Sequence, residues 1–142
     1  MPQMPRTAMW HLPVSDLETQ EYWDATAQGK LLIKHCNACD RDFFYPRAHC
    51  PRCWSTDTAW KEASGLGTIY TFTTIHQNDL PPFRDRVPYV IAIIELDEGV
   101  RMTSNIEGIE PDAVRCGMPV QVSFREEQRD EGSVFLPVFR PA

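Results

Sequence analysis

No stretch of this chain approaches the ~18 apolar residues of a membrane-crossing helix, so no helical span is expected. The first fourteen residues, M-P-Q-M-P-R-T-A-M-W-H-L-P-V, carry three prolines and no continuous apolar core, unlike a secretory leader. The motifs G-x-S-x-G, H-E-x-x-H and the P-loop are all missing, so no catalytic constellation emerges. A cationic excess is missing too. Net charge is −6, and residues 64–142 hold seven Lys/Arg against twelve Asp/Glu. An acidic segment is poor material for a phosphate groove, which argues against nucleic acid as a partner.

Cysteine is scarce but concentrated. Four of the five cysteines fall between positions 36 and 53, as C36-N-A-C39 and C50-P-R-C53. Zinc takes four thiolates at the corners of a tetrahedron, with Zn–S near ~2.3 Å and sulfurs ~3.7 Å apart. A C-x-x-C turn brings two sulfurs to that separation. Two such turns give a closed shell of Cys36, Cys39, Cys50 and Cys53, which is structural rather than catalytic. A redox dithiol and a tetrahedral iron site are the rival uses of the same sulfurs. Paired cysteines at metal spacing also favour a reducing cytoplasm. Lys34, Arg41, Arg47 and Arg52 surround the turns and offset the thiolate charge. Asp40 follows the first pair at a position that favours a left-handed backbone, which Asp tolerates better than most residues. His35 and His49 each precede a cysteine and read as neighbours of the site rather than ligands. The fifth cysteine, Cys116, reads as a small buried filler, and His11 and His76 as isolated histidines.

The chain around these turns is mainly β. S15-D-L-E18 has the pattern of a capping box opening a helix over about Asp16–Gln28, with Gly29 as its stop. L31-L-I-K-H35 and D42-F-F-Y-P46 read as strands leading into the two turns, and W54–W60 as a turn followed by a strand. That is the plan of a zinc ribbon. From A63-S-G-L-G67, read as a linker, the chain becomes strand-rich: 67–76, 87–96, 100–106, 120–124 and 134–139. D97-E-G99 reads as a hairpin turn, and Pro137 puts the last strand at an edge or bulge. A short helix over 110–117 falls between the third and fourth of these strands. Five strands with a helix after the third is the layout of an OB-fold barrel; an SH3-like barrel is the alternative. The expected division is an arm and helix at 1–29, a rubredoxin-like ribbon at 30–62 and a five-stranded barrel at 63–142. The long loop 76–86 is a candidate functional loop.

Aromatic residues crowd the N-terminal part. Eight of the fifteen lie in the first sixty positions: Trp10, Tyr22, Trp23, Phe43, Phe44, Tyr45, Trp54 and Trp60. A ribbon is too small to enclose them all. Helix and barrel can cover some; the others suit an interface of aromatic anchors and arginines.

Taken together, the chain resembles the acyl-CoA-associated zinc-ribbon/OB-fold proteins, long catalogued as a domain of unknown function. The resemblance rests on E21-Y-W-D-A-T-A-Q-G-K-L-L-I, C36-N-A-C39 and F44-Y-P-R-A-H-C-P-R-C53. It continues through A63-S-G-L-G-T-I-Y-T-F-T, V87-P-Y-V-I-A-I-I-E-L-D-E-G and G117-M-P-V-Q-V-S-F. It implies a non-catalytic scaffold subunit with structural Zn²⁺, bound to a thiolase-superfamily enzyme: a thiolase, a condensing enzyme or a lipid-transfer-type aldolase. Enoyl-CoA hydratase-like subunits are further partners it implies. If the protein helps form a CoA entrance, the surface that meets partner or CoA is expected from Phe43, Phe44, Tyr45, Arg47, Arg52 and Lys34. The competing function is a stand-alone OB-fold protein binding acyl-CoA or nucleic acid.

Overall fold

A computed structural model describes residues 12–129 and 132–142; most of the expected arm, with Trp10 and His11, lies outside the described residues. The first regular element is helix α1, Gln20–Ala27, which starts later than the capping-box pattern implies. The cause is local. The Asp16 carboxylate, not Ser15, accepts from the Glu18 and Thr19 backbone N–H groups at 3.0 and 2.9 Å. This ties residues 16–19 into a turn, and the helix begins after it. Glu18 does not reach back to Ser15; its carboxylate accepts instead from Ala48 N–H at 3.2 Å. The helix stops as its sequence implies. Gly29 sits at φ 75°, while Gly29 N–H and Lys30 N–H donate to the Thr26 and Ala25 carbonyls at 3.0 and 2.9 Å.

Strands β1 (Leu32–Cys36), β2 (Arg41–Phe43) and β3 (Thr58–Glu62) form an antiparallel sheet in the order β2-β1-β3. Five further strands close a barrel: β4 (Leu66–Ile75), β5 (Tyr89–Leu96), β6 (Arg101–Ile106), β7 (Pro119–Arg129) and β8 (Gly132–Pro141). Their order is β4-β5-β6-β8-β7, closed by the β4–β7 pairing of Gly67 with Val120. The expected five-stranded barrel is therefore present. A register shift between Ile69 and Thr71 bends β4, as a bulge does where a sheet curls. The expected helix over 110–117 is only a 3₁₀ turn, Pro111–Ala113. Strand β7 runs well past Phe124, the end of its apolar alternation, because its polar half pairs with β8 along its whole length. Pro137 lies before the point where β8 meets β6, at the Ile106–Phe139 pair. There the Ser104 hydroxyl donates to the Pro137 carbonyl at 2.8 Å.

One core serves both halves. Tyr22 of α1, Leu31 and Ile33 of the ribbon pack with Ile69, Val90, Ile94, Val120 and Phe139 of the barrel. Alternation along β1 and β5 aims these residues inward, so the ribbon is anchored on the barrel by buried apolar area. The segment A63-S-G-L-G67 is a close joint rather than a loose linker. A Cβ on Gly65 would lie 2.6 Å from Val122 Cγ1, and one on Gly67 2.5 Å from the Glu95 carbonyl oxygen. The long loop before β5 is tied to β7 by Arg86, whose guanidinium donates to both Glu127 carboxylate oxygens at 2.8 and 3.1 Å. Arg125 donates to the same Glu127 at 2.9 Å and to Glu107.

Two stability predictions follow from these joints. Gly67→Ala must displace backbone and is expected to cost about 1–3 kcal/mol. Gly29→Ala meets nothing within 4 Å and carries only the left-handed penalty, about 1 kcal/mol; urea denaturation ranks the two. Glu127 is held below the ordinary glutamate range, first by its hydrogen bonds to Arg86 and then by the charges of Arg86 and Arg125, against desolvation. A depressed folded-state pKa stabilises above the unfolded value, about 4.3, and that stabilisation disappears as pH falls through the folded value. Glu127→Gln should therefore destabilise by about 1–3 kcal/mol at pH 7, and the difference from the parent should shrink below about pH 4. A pH-independent difference in urea midpoints would contradict this.

Candidate functional site

The two C-x-x-C turns meet at the open end of the ribbon sheet. Cys36 ends β1, and its register partners are Arg41 on β2 and Thr58 on β3. The first turn is held by Asn37, whose N–H donates to the Asp57 carbonyl at 2.9 Å and whose side-chain amide donates to the Asp57 carboxylate at 3.0 Å. The second is held by Cys50 N–H to the Ser55 carbonyl at 2.9 Å and Trp54 N–H to the Cys50 carbonyl at 3.0 Å. The residue after each pair is left-handed: Asp40 at φ 53° and Trp54 at φ 64°. For Asp40 the sequence anticipates this. Trp54 occupies the equivalent place one turn later, and the repeat of the motif was the signal for it.

All four Sγ atoms lie within 4.8 Å of one another. Cys36–Cys53 and Cys39–Cys50 are separated by 3.5 and 3.8 Å, close to the ~3.7 Å edge of a zinc–thiolate tetrahedron. The donor set and its spacing therefore fit a tetrahedral metal ion. Cys36 and Cys50 are buried beside Phe43 in a small cluster of their own, whereas Cys53 is exposed. Desolvation, then hydrogen bonds from neighbouring thiols, push Cys39 up to about 12. Backbone N–H groups of Cys53 and Arg52 aimed at Cys50 bring it down to about 6, against desolvation. A cation that ionises all four must displace protons, so its binding is linked to pH.

His35 stays out of the sulfur cluster. Its Nδ1 lies 2.7 Å from the Asp42 carboxylate and its Nε2 3.2 Å from Asp40. Lys61 caps Asp42 at 2.6 Å; desolvation opposes ionisation of Asp42, but Lys61 and His35 outweigh it and hold the carboxyl low. His49 is exposed.

Of the residues expected on a partner or CoA surface, two point inward. Phe43 is buried against the sulfur cluster. Lys34 is buried too, with Nζ 4.3 Å from the centre of the Trp60 ring, because the register sets it between Phe43 and Trp60. A lysine on the middle strand of a three-stranded sheet has neighbours on both sides to cover it. Arg47, Arg52 and Tyr45 are exposed, and Phe44 is half-buried. Cys116 is exposed rather than a buried filler, because the segment after Val114 turns away from the core instead of continuing a helix.

A cleft of about 350 Å³ opens between α1, the ribbon and the barrel. Its walls include Trp23, Phe44 and Tyr45 on one side and Met102, Leu136 and Val138 on the other. Contacting rings build the first wall: Tyr22–Trp23 edge-to-face at 4.9 Å and Phe44–Tyr45 tilted at 4.5 Å between centroids. A second hollow of about 530 Å³ lies beside the 76–88 loop, between Phe83, Tyr89 and Ile109, with Arg86 and Arg125 at its edge. Neither cavity was legible in the sequence, since each is made by segments distant along the chain.

Comparison with known proteins places this geometry. Residues 23–59 match the ChsH2 rubredoxin-like zinc ribbon domain, and residues 60–125 match the ChsH2 C-terminal OB-fold domain. A probable enoyl-CoA hydratase alpha subunit from Thermomonospora curvata is 37% identical over 130 residues, 92% of this chain; the match spans 39% of that longer protein. A DUF35 domain-containing scaffold protein from Methanocaldococcus jannaschii is 38% identical over 107 residues, 73% of this chain and 75% of that one. Among solved structures, a chain of the Ltp2-ChsH2(DUF35) aldolase superposes with a TM-score of 0.77 at 37% identity, covering 92% of this chain and 98% of the other. With a zinc-ribbon match followed by an OB-fold match and these identities, the chain belongs to the ChsH2/DUF35 family of zinc-ribbon and OB-fold proteins.

Proposed function

We propose that this protein is a non-catalytic scaffold subunit of an acyl-CoA-processing enzyme of the thiolase superfamily. The observation that carries the proposal is the pairing of a closed four-cysteine cluster with an exposed aromatic and cationic surface, in a chain that matches a DUF35 scaffold protein and the ChsH2 component of an aldolase. The hydratase name comes from a relative of which the match covers 39%, so hydratase activity is not carried over. A hydratase-like subunit is retained as a further partner. The cytoplasm is the proposed compartment, since four clustered thiols need reducing conditions to stay metal ligands.

Zn²⁺ is the proposed metal, held by Cys36, Cys39, Cys50 and Cys53. With four thiolates bound it has no open coordination position, and what it supplies is a cross-link between the two turns. Residues 30–62 then act as the docking ribbon and 63–142 as the barrel that supports it, with 1–29 packed across the joint. Phe44, Tyr45, Arg47 and Arg52 remain on the proposed partner or CoA surface. A stand-alone role in binding nucleic acid is disfavoured by the net charge of −6.

Metal analysis of the purified protein should find one zinc per chain. Cys39→Ser should lose it in the presence of a chelator, melt at lower temperature and fail to bind the partner enzyme. Co-purification from the native host should recover a thiolase-like protein with the parent. Normal partner binding by the zinc-free variant would refute the cross-link role, and recovery of no such enzyme by the parent would refute the scaffold role.

A further inference from the structure

Each C-x-x-C turn needs a left-handed residue after its second cysteine, and the chain meets that need with unlike residues: Asp40 at φ 53° and Trp54 at φ 64°. Glycine takes this conformation freely and Asp or Asn tolerates it, but a bulky aromatic side chain does so at a cost. Such strain persists where the surrounding structure enforces it. Here the enforcement comes from the backbone, through the Trp54–Cys50 and Cys50–Ser55 hydrogen bonds at 3.0 and 2.9 Å. It does not come from packing of the indole. Trp54 is 79% exposed, and among the described residues it has no ring or cation–π partner. The fold bears the cost of this tryptophan and gains little buried area from it.

Charge points the same way. Arg52 precedes Trp54 in the same turn, and Arg47 lies just before the pair; both are exposed. Among the described residues neither forms an ion pair; Arg86, Arg101 and Arg125 of the barrel half do, while Arg84 and Arg115 bond only to backbone carbonyls. Unpaired arginines beside an exposed tryptophan combine two residue types enriched at binding hot spots. The ribbon backbone beneath them is held by the cysteine cluster, so ordering on binding costs little.

We propose that the second turn, Pro51–Trp54, is a docking finger. The Trp54 indole enters an apolar pocket on a protein partner, and Arg47 and Arg52 meet carboxylates on that pocket's rim. This rests on the scaffold function proposed above and specifies the surface its enzyme partner must offer. It also moves the aromatic anchor away from Phe43, which is buried, to Trp54, whose indole has no ring or cation–π partner among the described residues.

The test uses full-length protein and Trp54→Asn, a substitution that suits a left-handed backbone. Zinc content should be unchanged, and the melting temperature should hold or rise by ~2–4 °C. The dissociation constant for the thiolase-like enzyme co-purified with the parent should rise at least ~10-fold by calorimetry. Trp54→Phe, which keeps a ring, should lose less. The double variant Arg47→Ala/Arg52→Ala should bind more weakly and with a flatter salt dependence between ~50 and ~300 mM. A clear drop in the melting temperature of Trp54→Asn would make Trp54 a folding residue and overturn the finger. Equal affinity of Trp54→Asn and parent would overturn it while leaving the scaffold function standing. If the parent itself recovers no thiolase-like enzyme, both proposals fall. Trp54-dependent binding of single-stranded DNA would replace the protein pocket with a base stack and overturn the assignment.

Discussion

Two short turns have to bring four sulfurs within one small volume, and most of the N-terminal half is arranged around that demand. Each turn must reverse through a left-handed residue, and each must aim backbone N–H groups at its sulfurs. The residues that look irregular, Asp40 and Trp54, are where the demand falls on the backbone. Asn37, Asp57, Ala48 and Glu18 then tie the turns to β3 and to the segment before α1. The resulting donor set, four sulfurs within 4.8 Å of one another, fits a tetrahedral metal ion.

The barrel's contribution is orientation. Leu31 just before β1, Ile33 on β1 and Tyr22 on α1 are buried in the same core as Ile69, Ile94 and Phe139. At roughly 25 cal/mol per Å² of buried apolar surface, these few side chains outweigh any exposed ion pair in fixing the ribbon's direction. The close joint at Gly65 and Gly67 leaves no slack between the units. A surface presented by the turns is therefore rigid with respect to the barrel, as a scaffold requires. The Arg86–Glu127 pair does similar work at the far loop, holding 76–88 against β7, and Arg125 ties β7 to Glu107 after β6.

Much of the fold was legible because its signals are local. Spacing between cysteines needs only the chain between them, and β-branched runs such as Y89-V-I-A-I-I-E-L96 report burial through their own composition. The start of α1 was misplaced because serine and aspartate compete for the same backbone donors, and side-chain geometry settles which one wins. The end of β7 was missed because its second half is polar and owes its strand conformation to β8. Cys116 was misjudged since thiol burial depends on whether the turn after Val114 closes as a helix, which a 3₁₀ turn does not.

By itself the sequence determined which four cysteines cluster, the ribbon-then-barrel order, the glycine stop of α1 and the acidic balance of the barrel. Each follows from spacing, residue type or summed charge, quantities that survive without coordinates. Only the tertiary structure decided which aromatic and cationic residues face out. Phe43 and Lys34 turned inward because β1 lies between two neighbours, while Trp54 turned outward because its backbone is committed to closing the second turn. Facing is set by register and by contacts between distant segments, and no local pattern encodes it when rings and arginines crowd both sides of a strand.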